Sequence, residues 1–238
     1  LTLSKPKFEE VKTSDGLTVH GWVMKPTDYQ EGKTYPAILH IHGGPPTIFS
    51  NVLHCEHQLW ANNGYFVIFC NPRGSDGRGF DFRNITGKYG DWAYVSLMDY
   101  LDGILEKYPE IDQKRLGVTG GSYGGYMTLS CVTRYPDLWA AGVDTVGMSN
   151  LETFLENTAD YRRAHRESEY GSLANHRQIL REVSPIHKVD QITAALMVVH
   201  GANDPRVPVG EAEQIVKSLR DRNVPVEYLC YPDEGHGL

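Results

Sequence analysis

The sequence predicts a doubly wound α/β domain on a mostly parallel sheet, entered through an antiparallel hairpin. Three observations carry that reading. Short apolar runs of strand length recur between longer segments of helical spacing. A serine bracketed by glycines sits where one such run meets one such helix. The length, 238 residues, suits a single domain of this type spanning 1–238.

The elements follow in order. Residues 8–13 and 17–24 read as strands flanking Ser14-Asp15-Gly16, a hairpin signal. Residues 36–42 and 65–71 are near-continuous apolar runs, as strands covered on both faces are. From 91 to 108, Val95, Met98, Leu101 and Leu105 recur at helical spacing, and Pro109 ends the helix. Runs at 115–119, 139–146, 195–200 and 226–231 complete the sheet. A helix at 126–135 stops at Pro136, and another at 209–223 joins the last two strands. The stretch 147–189 is too long and too charged for a simple crossover, and reads as helical excursions near the site. The glycine- and arginine-rich loop 71–79 follows a strand and is a candidate lining for a pocket.

Chemistry concentrates in Gly120-Gly121-Ser122-Tyr123-Gly124-Gly125. The pattern fits G-x-S-x-G, a tight strand-to-helix turn that presents a serine. Side chains at 120 and 124 would collide with the adjoining strand and helix. A serine hydroxyl is a poor nucleophile at neutral pH and needs a histidine base oriented by a carboxylate, expected in the chain order Ser, Asp, His. Of the five histidines after Ser122, His236 lies in a glycine-flanked loop directly after a strand. His165, His176 and His187 lie in polar, charged sequence and read as solvated, while His200 closes an apolar run. The loop after that run holds Asp204, too far before the next helix to serve as its cap. The expected triad is Ser122, Asp204 and His236. The oxyanion donors expected are the backbone N–H groups of Tyr123, at a helix N-terminus, and Gly44, in Gly43-Gly44-Pro45-Pro46 after a strand.

Composition narrows the alternatives. The formal net charge is −7 with no stripe of Lys and Arg, which disfavours nucleic acid. No run approaches the ~20 apolar residues of a membrane span, and no signal peptide is visible. Cys55, Cys70, Cys131 and Cys230 are scattered, with no zinc spacing, and no cofactor or metal is expected. Cys70, Cys131 and Cys230 fall in elements predicted to be buried, and reduced thiols suit a cytoplasmic setting.

Five segments together resemble the catalytic domain of the prolyl oligopeptidase family of serine peptidases, in its acylaminoacyl-peptidase and dipeptidyl-peptidase branches. They are His42-Gly-Gly-Pro45, Asn71-Pro-Arg-Gly-Ser-Asp-Gly-Arg-Gly79, the Ser122 turn, Gly201-Ala-Asn-Asp-Pro-Arg-Val-Pro208 and Glu234-Gly-His-Gly237. The resemblance implies an α/β-hydrolase fold and an acyl-enzyme on Ser122 formed from short peptides. It further implies Arg206, with Val207 beside it, as substrate-binding residues, Arg206 holding a substrate carbonyl. Members carry a β-propeller ahead of this domain and a final helix after the catalytic histidine. Neither is in this chain, which ends two residues after His236, so a domain of a longer propeller-containing protein is expected. A homo-oligomer is compatible with this reading. A carboxylesterase on the same fold would need the same triad. A non-catalytic binding domain is disfavoured by the intact Ser, Asp and His set.

Overall fold

A computed structural model describes residues 2–44, 48–50, 53–84, 92–158 and 160–238. Eight strands form one sheet: β1 (Lys7–Lys12), β2 (Thr18–Met24), β3 (Tyr35–Ile41), β4 (Phe66–Asn71), β5 (Ile111–Gly121), β6 (Ala141–Thr145), β7 (Ala195–Gly201) and β8 (Val226–Tyr231). Their order is β1-β2-β4-β3-β5-β6-β7-β8. The β1–β2 hairpin pairs antiparallel and joins β4 antiparallel, and the other pairs are parallel. Gly16 turns the hairpin at φ +85°, a conformation costly for other residues.

The connecting helices are α1 (Cys55–Asn62), α2 (Phe80–Arg83), α3 (Trp92–Lys107), α4 (Tyr123–Arg134), α5 (Leu151–Glu156), α6 (Asp160–Tyr170), α7 (Leu173–Glu182) and α8 (Gly210–Asp221). A 3-10 segment, Pro185–Gln191, precedes β7. Both sheet faces are covered, and β4 shows why its sequence lacks polar alternation. Phe66, Ile68 and Cys70 enter the main core, while Val67 and Phe69 pack on the other face with Trp22, Met24, Phe49 and Ala61. Helix α4 is buried nearly all round, so its hydroxyls turn inward. Thr128 Oγ1 donates to Gly124 O at 2.8 Å and Thr133 Oγ1 to Leu129 O at 2.8 Å.

Three expectations need correction, and one helix went unassigned. Cys230 is exposed, because β8 is an edge strand. His176 is half-buried rather than solvated, and its Nδ1 accepts the Ser172 N–H at 2.9 Å. Strand β5 begins at Ile111, well before residue 115, because Ile111 pairs with Tyr35 ahead of a register shift. Helix α1 carries no clear apolar stripe in the sequence: it buries His57, Gln58 and Ala61 and exposes Leu59. Pro45, Pro46 and Asp91, assigned above to a loop and a helix start, lie outside the described residues. Among the described residues no helix is long and apolar enough to cross a membrane.

Candidate active site

Strand registers align the carboxyl ends of the parallel strands into one rim. Ile41 pairs with Gly120, Gly121 with Thr145, Thr145 with Val199, and Gly201 with Tyr231. The chain leaves β3 toward β4 on one side and reaches β5 on the other. A crevice at such a reversal of strand order is where open α/β sheets bind ligands. Ser122 sits there, between β5 and α4.

Its backbone has φ 57° and ψ −115°, an uncommon conformation for a residue with a side chain. Hydrogen bonds pin it from both sides: Ser122 N–H donates to Thr145 O at 2.9 Å, and Tyr126 N–H to Ser122 O at 3.0 Å. The flanking glycines serve the close packing the sequence implied. A Cβ at Gly124 would run into the Ile41 carbonyl, and one at Gly120 would come within 2.7 Å of Gly124 C.

The loop after β3 lies against the serine. A Cβ at Gly43 would stand 3.6 Å from Ser122 Cβ, and Gly44 adopts φ +50°. This loop is tied down on both sides of 45–47. His42 Nε2 meets Ser75 Oγ at 2.7 Å, and the Asn71 side-chain amide brackets Phe49, accepting its N–H at 2.6 Å and donating to its carbonyl at 2.9 Å. Beneath Phe49, His40 Nδ1 and His57 Nε2 are 2.6 Å apart. Burial pushes these two rings down to about 4 and about 3, so both are neutral near pH 7.

At the other end of the rim, His236 Nδ1 meets Asp204 Oδ2 at 2.7 Å. The Asp204 side chain is fully buried, and its second oxygen accepts the N–H groups of Arg206 at 2.8 Å and Val207 at 2.9 Å. Burial works to raise this carboxyl. The bond from His236 and the two backbone N–H groups outweigh it and hold Asp204 below its ordinary value. The histidine loop is seated on the acid loop through Asn203 N–H to Glu234 O at 3.0 Å and Ala202 N–H to Tyr231 O at 3.0 Å.

Sequence reasoning assigned no role to His200. Its ring is buried, with Nε2 2.8 Å from Val207 O and 3.5 Å from Asp204 Oδ2. Since Val207 O can only accept, Nε2 carries the proton, and the ring braces the acid loop from below. Its signal in the sequence is alternation: Leu196, Val198 and His200 share the buried face of β7. The structure therefore joins Asp204 to His236 and seats Gly43 against Ser122. Among the described residues no hydrogen bond links Ser122 Oγ to His236. Arg206 is exposed on the rim and Val207 is buried beneath it.

Fold and site geometry define an α/β-hydrolase-type domain with a serine at its strand-to-helix turn. Comparison with known proteins makes the class specific. The prolyl oligopeptidase family model matches residues 51–238, and the chain belongs to that family. It is 37% identical over 242 residues to dipeptidyl aminopeptidase BIII of Pseudoxanthomonas mexicana, covering 96% of this chain and 35% of that one. The acylaminoacyl peptidase of Pyrococcus horikoshii superposes with a TM-score of 0.92 at 28% identity, covering 100% of this chain and 38% of the other. A puromycin-hydrolyzing peptidase of Mycobacterium tuberculosis gives 0.91 at 29% identity, covering 99% and 36%. The chain thus spans about a third of the length of these relatives.

Proposed function

We propose that this domain hydrolyses short peptides, of acylaminoacyl or dipeptidyl type, through an acyl-enzyme on Ser122. The observation that carries the reading is the 2.7 Å bond from His236 to a buried, ionised Asp204 on the same rim as the strained Ser122 turn. With Nδ1–H given to Asp204, His236 keeps Nε2 as the base. Ser122 Oγ attacks the carbonyl carbon as its proton passes to His236 Nε2. The carbonyl oxygen takes the negative charge, facing the N–H groups of Tyr123 and Gly44, each such donor being worth about 2.7–4 kcal/mol of barrier. His236 then gives the proton to the amine nitrogen, the C–N bond breaks, and water releases the acyl group by the same route.

Arg206, exposed on the rim above the buried Val207, would hold the substrate beside the triad. The family match and the likeness to enzymes named as peptidases support peptides over simple esters. The lengths of the relatives agree with a parent chain in which a propeller domain is the partner of this one. Four free cysteines suit a cytoplasmic setting.

The test is kcat/KM for a short acyl-peptide anilide and its matched ester, with Ser122→Ala as the blank. Anilide turnover that falls by roughly 10⁶-fold in a folded Ser122→Ala protein is expected. Ester cleavage without amide cleavage would favour a carboxylesterase, and undiminished turnover in the variant would remove Ser122 from the mechanism.

A further inference from the structure

We propose that Arg162 and Arg166 of α6, with Arg206 of the acid loop, form an anion subsite that takes a carboxylate of the peptide substrate. The proposal rests on the peptidase reading above and deepens it. Tyr161, Arg162, His165, Arg166 and Arg206 line one hollow of about 400 Å³. A smaller one beside it brings in Pro205 and Pro208 of the acid loop. Arg206 is anchored to the triad, since its backbone N–H donates to Asp204 Oδ1 at 2.8 Å. The hollow therefore borders the site.

Charge makes this gathering informative. The chain has 30 acidic residues against 23 Lys and Arg, so an acid partner for each arginine is readily available. Arg162 and Arg206 nevertheless have no ion pair among the described residues. Arg166 has Glu169 at 3.6 Å, and His165 draws on that same carboxylate at 3.3 Å. The nearby Glu152 and Glu156 are engaged by Arg177, and Glu152 also by Arg181. Arg162 and Arg166 stand one helical turn apart, a spacing at which like charges repel. Three guanidiniums facing one hollow beside a single shared acid leave room for a negative charge supplied from outside. Their flat donor forks suit a carboxylate, which can accept two parallel N–H bonds. Arg162 and Arg166 are half-buried, which lowers screening by solvent relative to an open surface.

The carboxylate could belong to an acidic side chain or to a free peptide C-terminus, and the test separates the two. Matched peptides would carry Glu or Gln, each as free acid and as amide, and kcat/KM would be measured for all four. A preference for the Glu or the free-acid form is expected, and Arg162→Gln or Arg166→Gln should reduce it about tenfold, the effect of one charge-assisted pair. Lys33→Gln, at the far end of β3, removes the same charge elsewhere and should leave the preference in place. Equal values for all four peptides, or a preference that survives both arginine variants, would overturn the proposal. If no peptide is cleaved, the peptidase reading fails, and calorimetric binding of the same four peptides decides the subsite alone. Binding selective for a carboxylate and lost in Arg162→Gln upholds it, and equal binding refutes it.

Discussion

Ser122 and His236 stand on the same rim of strand ends, yet the chain holds them by different means. Around Ser122 the backbone of β5, the end of β3 and the first turn of α4 touch directly, with glycines at 120 and 124 and no side chain between them. Around His236 the support is an edge strand and a loop: Leu229 is 41% and Tyr231 45% exposed. There, hydrogen bonds between the 202–204 and 231–236 segments replace packing. Ser122 is fixed by exclusion of volume, and His236 by a short polar tether. A residue forced into a strained conformation needs rigid walls. A base that must take and return a proton needs only its orienting carboxylate in place.

The largest expected effect tests that difference with two alanines. Gly124→Ala places a Cβ into the Ile41 carbonyl and within 3.0 Å of Ile41 C, backbone that cannot rotate away. It should destabilise the fold by about 1–3 kcal/mol and lower kcat/KM on the order of 100-fold through displacement of Ser122. In Gly235→Ala the nearest atom to the new Cβ is Pro205 Cδ at 3.9 Å, so the unfolding midpoint should stay where it is. Equal losses in the two variants, read by thermal unfolding, would erase the contrast.

A smaller effect sharpens it. Asp144 lies on β6 behind the Ser122 turn, where its Oδ1 accepts the Gly147 N–H at 3.1 Å and a Cβ at Gly125 would collide with it. Burial pushes this carboxyl up to about 7, the bond from Gly147 opposes that, and the charge of Glu211 adds to it. The folded protein then keeps a proton that the unfolded chain loses from about pH 4 upward. Stability from this group should fall as pH rises through that window to about 7, and stay low above it. Asp144→Asn keeps the acceptor for Gly147 and should flatten the fall, seen as urea midpoints at about pH 5 and about pH 8. Parallel midpoint changes in both proteins would show that folding does not raise the Asp144 pKa.

The same contrast explains what the sequence made legible. The Ser122 turn is written in glycines at fixed offsets, because each close approach excludes every larger residue, so the turn itself can be placed by reading alone. The order Ser, Asp, His then singled out Asp204 and His236, which the structure joins. Edge position is a property of the sheet rather than of the strand. Val226-Glu-Tyr-Leu-Cys-Tyr231 therefore reads as buried while Cys230 faces solvent. Helix α1 escapes the pattern because polar His57 and Gln58 occupy its inner face. Asp144 and His200 lie within strands whose polar residues gain meaning only from what packs behind them. The arginines of α6 fall in the charged stretch 147–189, and only the fold sets Arg162 and Arg166 around one hollow with Arg206.

The most direct test of the central claim is mass-spectrometric mapping of a fluorophosphonate adduct on the native protein, with His236→Ala and Asp204→Asn alongside. A single adduct on Ser122, formed quickly in the native protein and at least about 100-fold more slowly in both variants, is the predicted result. An adduct on another residue, or labelling of Ser122 at an undiminished rate without His236, would contradict the assignment.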